Sequence, residues 1–211
     1  MGRISRMIGV GLLAGASLGL AACSESPAPP TASDPATSAA DMAEAAAYCE
    51  QEGGEVQQRQ PAWRTNLDED DWVPLGDPIA VCRFQTLEDE ADSRIYVDLV
   101  TISSDEPTLA ALAYLSRTGI PDDPPGNPAS ALCSSLGGTT SFGPSAGGGG
   151  LTAADDPDDP VVAPCTFADG SFIDEWGIAY YAEGTVRGID LSSVFRFDGS
   201  TLPEVFRTPS R

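Results

Sequence analysis

Two stretches of this chain carry the same punctuation, and that repetition constrains the fold more than any other feature. Tyr48-Cys49-Glu50-Gln51-Glu52-Gly53-Gly54 aligns with Leu132-Cys133-Ser134-Ser135-Leu136-Gly137-Gly138. Val81-Cys82-Arg83-Phe84 then aligns with Pro164-Cys165-Thr166-Phe167, and the two Cys separations are 33 and 32 residues. Ala-rich helical sequence precedes each first Cys, at 41–47 and 127–131. An aromatic strand-like run follows each second one, Ile95–Val100 in the first copy and Ile178–Tyr181 in the second. Matching order and matching spacing point to a duplication.

Four Cys admit three connectivities, and the repeat selects Cys49–Cys82 with Cys133–Cys165. Each bridge then pins a short helix to a strand. Gly-Gly ends the helix, because glycine accepts the left-handed conformation at a helix C-terminus. Phe84 and Phe167 sit two residues beyond a Cys, so both side chains share a strand face with it. On the chain-entropy model, loops of this length give roughly 3.5–4 kcal/mol per bridge. The expected fold class is α+β, a tandem pair of small disulfide-stapled units, each a short helix packed on an antiparallel sheet. The first, degenerate unit spans 41–120 and includes a linker helix with Pro107 in its first turn and Leu109, Leu112 and Leu115 on one face. The second spans 121–211, with a last pair of strands expected near 189–191 and 194–197 and a terminal helical turn near 203–206. Both units carry a polar insertion, 60–78 and 143–160, expected as exposed loops.

The N-terminus gives an address. Arg3 and Arg6 precede the apolar run Ile8–Ala22, which ends in Leu20-Ala21-Ala22-Cys23. A basic start, a short apolar core and small residues before a cleavage point make a signal peptide over 1–22. The 15-residue run is short of the roughly 20 needed to span a bilayer. A Cys directly after Leu-Ala-Ala is the bacterial lipobox pattern, so Cys23 is the expected lipidation site and the protein reaches the membrane through a lipid anchor. Residues 24–40 are Ser, Pro, Ala, Thr and acids, too polar to offset the entropy of ordering, so 23–40 reads as the lipidated Cys and a disordered tether. Ser24 after the lipid Cys points to the outer membrane in a Gram-negative host.

Composition excludes whole classes of function. The chain has 11 basic residues, all Arg, against 32 acidic ones, and no His. Two of the Arg and none of the acids lie in the leader, leaving nine against 32, a formal charge of −23. Such a surface disfavours nucleic acid, whose phosphates need Lys or Arg. Without His there is no Ser-His or Cys-His nucleophile activation and no His-ligated metal. No cofactor is expected, and the body reads as a monomer.

Asn127-Pro128-Ala129-Ser130-Ala131-Leu132-Cys133, Gly137-Gly138, Cys165-Thr166-Phe167-Ala168-Asp169-Gly170-Ser171 and Glu175-Trp176 together resemble a small bacterial domain of unknown function that carries the label hemolysin. The resemblance covers about 60 residues, one clear copy over 127–185 and a degenerate one over 43–103 that lacks Asp-Gly-Ser and Glu-Trp. It implies an exported protein or lipoprotein. Members commonly carry a further Cys where this chain has Phe172-Ile173-Asp174, so the family's disulfide pattern does not transfer in full. Lysis itself is not expected, since no basic amphipathic or pore-forming segment is present.

The candidate binding residues are Asp169, Asp174, Glu175 and Trp176. Asp169-Gly170 reads as a hairpin turn, with Asp169 alternatively an acceptor at a binding edge. Asp174 and Glu175 beside Trp176 suit a glycan site, although neighbours on a strand point to opposite faces. Glu175 is expected to be held by an Arg or a backbone amide, with Arg187 the named partner and Trp176 in the core. The acidic runs 67–71 and 155–159 lack the spacing of a calcium loop and read as solvated. Trp63 and Trp72 flank the first as core caps or exposed contacts. The expected role is an envelope-anchored binding or maintenance module without catalysis, contacting an envelope protein or glycan. The alternative is a carboxylate-based hydrolase acting on envelope glycan or peptide.

Overall fold

The computed structural model describes residues 39–86, 93–140, 148–153 and 160–206. The leader, Cys23, nearly all of the tether, the acidic run 155–159 and part of the second insertion lie outside the described residues. The order of elements is α1 (Ala39–Gln51), β1 (Glu55–Trp63), β2 (Val73–Pro74), β3 (Ile79–Thr86), β4 (Ser93–Asp98), α2 (Leu99–Ser103), α3 (Leu109–Ser116), α4 (Pro128–Ser135), β5 (Gly149–Ala153), β6 (Pro164–Thr166), β7 (Phe172–Asp174) and α5 (Glu175–Ala182). The fold is α+β with an antiparallel sheet, as the sequence predicts. Both bridges form as expected, Cys49–Cys82 and Cys133–Cys165, with Cα separations of 5.9 and 5.6 Å.

The two copies share one sheet. Its strand order is β2-β1-β3-β4-β7-β6, with β5 also on β1. The copies meet where Val97 of β4 pairs antiparallel with Ile173 of β7. These are equivalent residues, since each precedes the Asp that caps the next helix, Asp98 for α2 and Asp174 for α5. A local twofold axis therefore runs through this pair. Other pairs repeat across it: Glu55 lies opposite Arg83 in the first copy as Thr139 lies opposite Thr166 in the second.

A bridge from Leu151 to Val162, just ahead of β6, joins β5 to the far end of the sheet and closes it into a ring. Inside, successive strands each contribute a buried residue: Val81, Tyr96, Phe172, Val162 and Leu151. β1 contributes Arg59, which is fully buried. Its guanidinium lies 4.6 Å from the centre of the Tyr96 ring and donates to the Tyr96 hydroxyl and the Pro160 carbonyl. The outer face alternates with the inner one. It presents Cys82, Phe84, Ile95, Val97, Cys165 and Ile173 to the helices, forming the larger core with Leu132, Tyr114 and Ile178. Cys and Phe share a face in both copies, as the two-residue spacing requires.

Four expectations are corrected. The insertions 60–78 and 143–160 are not simply exposed loops: β1 runs to Trp63 and β2 forms in the first, and β5 lies within the second, with Ala62, Leu151 and Thr152 buried because these strands complete the sheet. Ile178–Tyr181 is helix, within α5, because the Asp174 carboxylate accepts the Trp176 amide and starts a helix that is buried on most sides. The second-copy counterpart of Tyr96-Val97-Asp98 is instead Phe172-Ile173-Asp174, while Leu99 and Val100 open α2. No strand forms at 189–191 or 194–197. Asp190 accepts the Ser192 amide and turns 191–193 into a 3-10 helix. The helical turn expected near 203–206 is present at 204–206. The linker helix is α3, capped by the Thr108 hydroxyl with Pro107 just ahead of it.

The Gly-Gly pairs hold both bridges closed. Gly53 and Gly137 have φ of 84° and 86°, ending their helices. At Gly54 an added Cβ would lie 2.4 Å from the Cys82 sulfur, and at Gly138 2.5 Å from the Cys165 sulfur. Gly54→Ala and Gly138→Ala should each cost about 1–3 kcal/mol through overpacking against sulfur, measured as the urea midpoint of the oxidised protein. A Gly138→Ala variant as stable as wild type would contradict the shared geometry.

Candidate functional site

The four sequence-flagged residues divide into a turn and a pocket. Asp169-Gly170-Ser171 is the predicted turn, with Gly170 at φ 82° and the Gly170 amide donating to the Phe167 carbonyl. Its side chains serve a different helix. The Leu109 amide donates to Asp169 at 2.8 Å and the Ala110 amide to the Ser171 hydroxyl at 3.0 Å. Both are otherwise orphaned donors of the first turn of α3. Burial opposes ionisation of Asp169, but hydrogen bonds from Ser171 and the Leu109 amide outweigh it and hold its carboxyl below the usual range. Asp169 is thus an acceptor, and what it accepts is the start of α3.

Asp174, Glu175 and Trp176 occupy the junction of β7 and α5. Asp174 is the N-cap residue, and Glu175 opens the helix instead of alternating along a strand. Both residues line the same cavity, of about 280 Å³. Glu175 is held from α4: the Asn127 side-chain amide donates to one oxygen at 3.2 Å and the Ser130 hydroxyl to the other at 2.8 Å. Asn127 also caps α4, accepting from the Ala129 and Ser130 amides. The Asn-Pro-Ala and Glu-Trp motifs are thereby two ends of one tie between helix starts. Glu175 is thus held by side chains of α4, whereas Arg187 acts on Asp174, favouring its charged form. Trp176 is half-buried, packed on the main core and tilted against Tyr180 at 5.7 Å, and it also lines the cavity.

Arg94, Tyr96 and the loop residues Thr65 and Asn66 complete the walls. Sequence reading passes over them because β4 and the 60–78 insertion lie far from Asp174 in the chain. Burial dominates the electrostatics here. It pushes Asp174 up to about 6 against an ordinary 3.8, opposed by Arg187 and the Trp176 and Gly177 amides. Glu175 is also raised, first by burial and then by the neighbouring Asp174 charge. Adjacent buried acids disfavour two charges at once, and a positively charged group in the cavity would relieve that repulsion.

The first acidic run is exposed, with a 3-10 turn at 69–71. Among the described residues no group of three or more His, Cys, Asp or Glu could hold a metal. Trp72 donates to the Leu67 carbonyl within its own loop, and the Arg64 guanidinium lies 5.8 Å from the Trp63 ring. Comparison with family models, curated proteins and solved structures finds no match.

The Asp174 shift has a sign. Folding raises its pKa, so the native state binds more protons between about pH 4 and 6. The stabilisation is complete below the unfolded value and is lost as pH rises through 6. The shift from 3.8 to about 6 corresponds to about 3 kcal/mol at neutral pH. Asn is an equally good N-cap, so Asp174→Asn should be more stable than wild type at pH 7.5 by about 1–3 kcal/mol. That advantage should vanish near pH 4 in paired denaturation curves. Equal differences at both pH values would mean that the carboxylate is not desolvated.

Proposed function

We propose that this protein is an exported bacterial lipoprotein, tethered to the outer membrane through Cys23, that binds an envelope ligand in the Asp174 cavity and performs no chemistry on it. The two disulfides fit an oxidising, exported setting, and among the described residues no helix is long and apolar enough to cross a membrane. The lipobox sequence supplies the anchor, and the resemblance to the exported hemolysin-labelled domain agrees with that address.

One observation carries the binding role: a buried carboxylate pair opens onto a polar, Trp-walled cavity even though keeping it there costs stability. Strongly perturbed acids in a cleft are what binding sites accumulate. The hydrolase reading gains from the shared cavity, because two carboxylates in one pocket are its minimum requirement. Both acids are already engaged, however, Asp174 as a helix cap and Glu175 by Asn127 and Ser130. Such fixed roles suit recognition better than proton shuttling.

Labelling with an alkyne palmitate analogue, followed by fractionation, tests the anchor. Wild type should carry the label in the outer-membrane fraction, and Cys23→Ala should lose both label and membrane association. Label retained by Cys23→Ala would remove the anchor from this account. Release of soluble fragments from purified cell-wall glycan by the mature protein, abolished in Glu175→Gln, would replace binding with hydrolysis.

A further inference from the structure

The duplication supplies an internal control for the cavity. Sequence offsets fixed by the second Cys and by the Val97–Ile173 pair map Ile79 and Ala80 onto Val162 and Ala163. They also map Asp98, Leu99 and Thr101 onto Asp174, Glu175 and Gly177. The first copy has its own cavity at the equivalent place, about 540 Å³, lined by Ile79, Ala80, Asp98, Leu99, Met42 and Phe172. The two cavities are twofold mates that have diverged, one apolar and one polar.

The two capping acids have diverged with them. Asp98 accepts four donors: the Val100 and Thr101 amides on one oxygen, and the Thr101 hydroxyl and Phe172 amide on the other. An ionised carboxylate has about four acceptor positions, so Asp98 is saturated by its own fold. Asp174 accepts the Trp176 and Gly177 amides. The hydroxyl that Thr101 provides has no counterpart, because Gly177 stands there. An added Cβ there would meet the Ile95 side chain at 2.5 Å, so a larger residue would force Ile95 to move. Asp174 is only 6% exposed, so bulk water does not fill its remaining acceptor positions, and the residue lines the cavity. Leu99 is replaced by Glu175, which adds a second acid. Arg187 also lines the cavity, with its guanidinium 5.2 Å from the Tyr180 ring and its charge acting on Asp174.

We propose that the second-copy cavity receives a small zwitterion, a free amino acid or short peptide, with its ammonium group on Asp174 beside Glu175 and its carboxylate on Arg187. The proposal rests on the cavity being the binding site. An ammonium group supplies the donors that Asp174 lacks and separates the two like charges. A guanidinium is the matching partner for a carboxylate. At about 280 Å³ the cavity is at the small end of ligand pockets, fitting a dipeptide and too small to enclose a longer glycan.

Calorimetry and amide chemical shifts on the oxidised mature protein test this with four probes: alanyl-alanine, its N-acetyl form, its C-terminal amide, and N-acetylglucosamine. Alanyl-alanine should bind one to one and shift the amides of residues 174–177. N-acetylation and amidation should each weaken it at least tenfold. Asp174→Asn should abolish discrimination against the N-acetyl form, and Arg187→Gln discrimination against the amide. Equal binding of the N-acetyl dipeptide, or binding of N-acetylglucosamine in its place with the same amides shifted, would overturn the zwitterion while leaving the cavity as the site. Dipeptide binding unaffected by both substitutions would also overturn it. No shift at 174–177 with any probe would overturn the ligand class and the site together.

Discussion

The antiparallel pairing of Val97 with Ile173 is the contact on which the rest of this structure depends. Because equivalent residues meet there, two short copies become halves of one sheet instead of two marginal domains. A unit with strands of three residues, such as β6 and β7, exposes too much edge to persist alone. Paired through β4 and β7 and closed by β5 on β1, the strands leave few edges and enclose a second core. The Phe172 amide donating to Asp98 reinforces the junction, since it ties the second copy to the helix cap of the first.

The bridges act one level out. Each fastens a helix to the outer face of the ring, and the close approach of Gly54 or Gly138 to both sulfurs allows the chain to turn from helix into strand at that spot. The covalent ties fix where α1 and α4 lie, and the position of α4 in turn fixes Asn127 and Ser130 against Glu175. The cavity is therefore downstream of the disulfide. Oxidation shapes the polar site by placing a helix start, not by touching the site itself.

Divergence between the copies shows what is structural and what is added. The helix-capping Asp is common to both, so capping accounts for Asp98 and Asp174 alike. The second acid, the glycine in place of Thr101 and the nearby Arg187 are particular to the second copy. A buried acid pushed up to about 6 is a standing cost at neutral pH; burial raises Asp98 as well, against its four hydrogen bonds, and sites of that kind are where folds accommodate function.

Much of the architecture was legible in residue order. The Cys-x-x-x-Gly-Gly and Cys-x-Phe spacings predict both bridges, the helix ends and the face that the Phe residues share. The expected strand at Ile178–Tyr181 failed because aromatic and β-branched content favours strand locally, whereas the cap at Asp174 and burial in the main core favour helix. The turn Asp169-Gly170-Ser171 could be read, but its role could not, because its partners in α3 are 60 residues away. The carboxylate pair was visible as a motif, yet its partners Asn127 and Ser130 lay within a different motif. Only the twofold contact, which no local pattern encodes, brings Arg94 and Tyr96 to the same cavity.

Native-state amide hydrogen exchange on the oxidised protein addresses that contact most directly. If the copies form one sheet through β4 and β7, the amides of β3, β4, β6 and β7 exchange with a common opening free energy equal to global unfolding. Two separable sets, with one copy opening while the other stays protected, would contradict it.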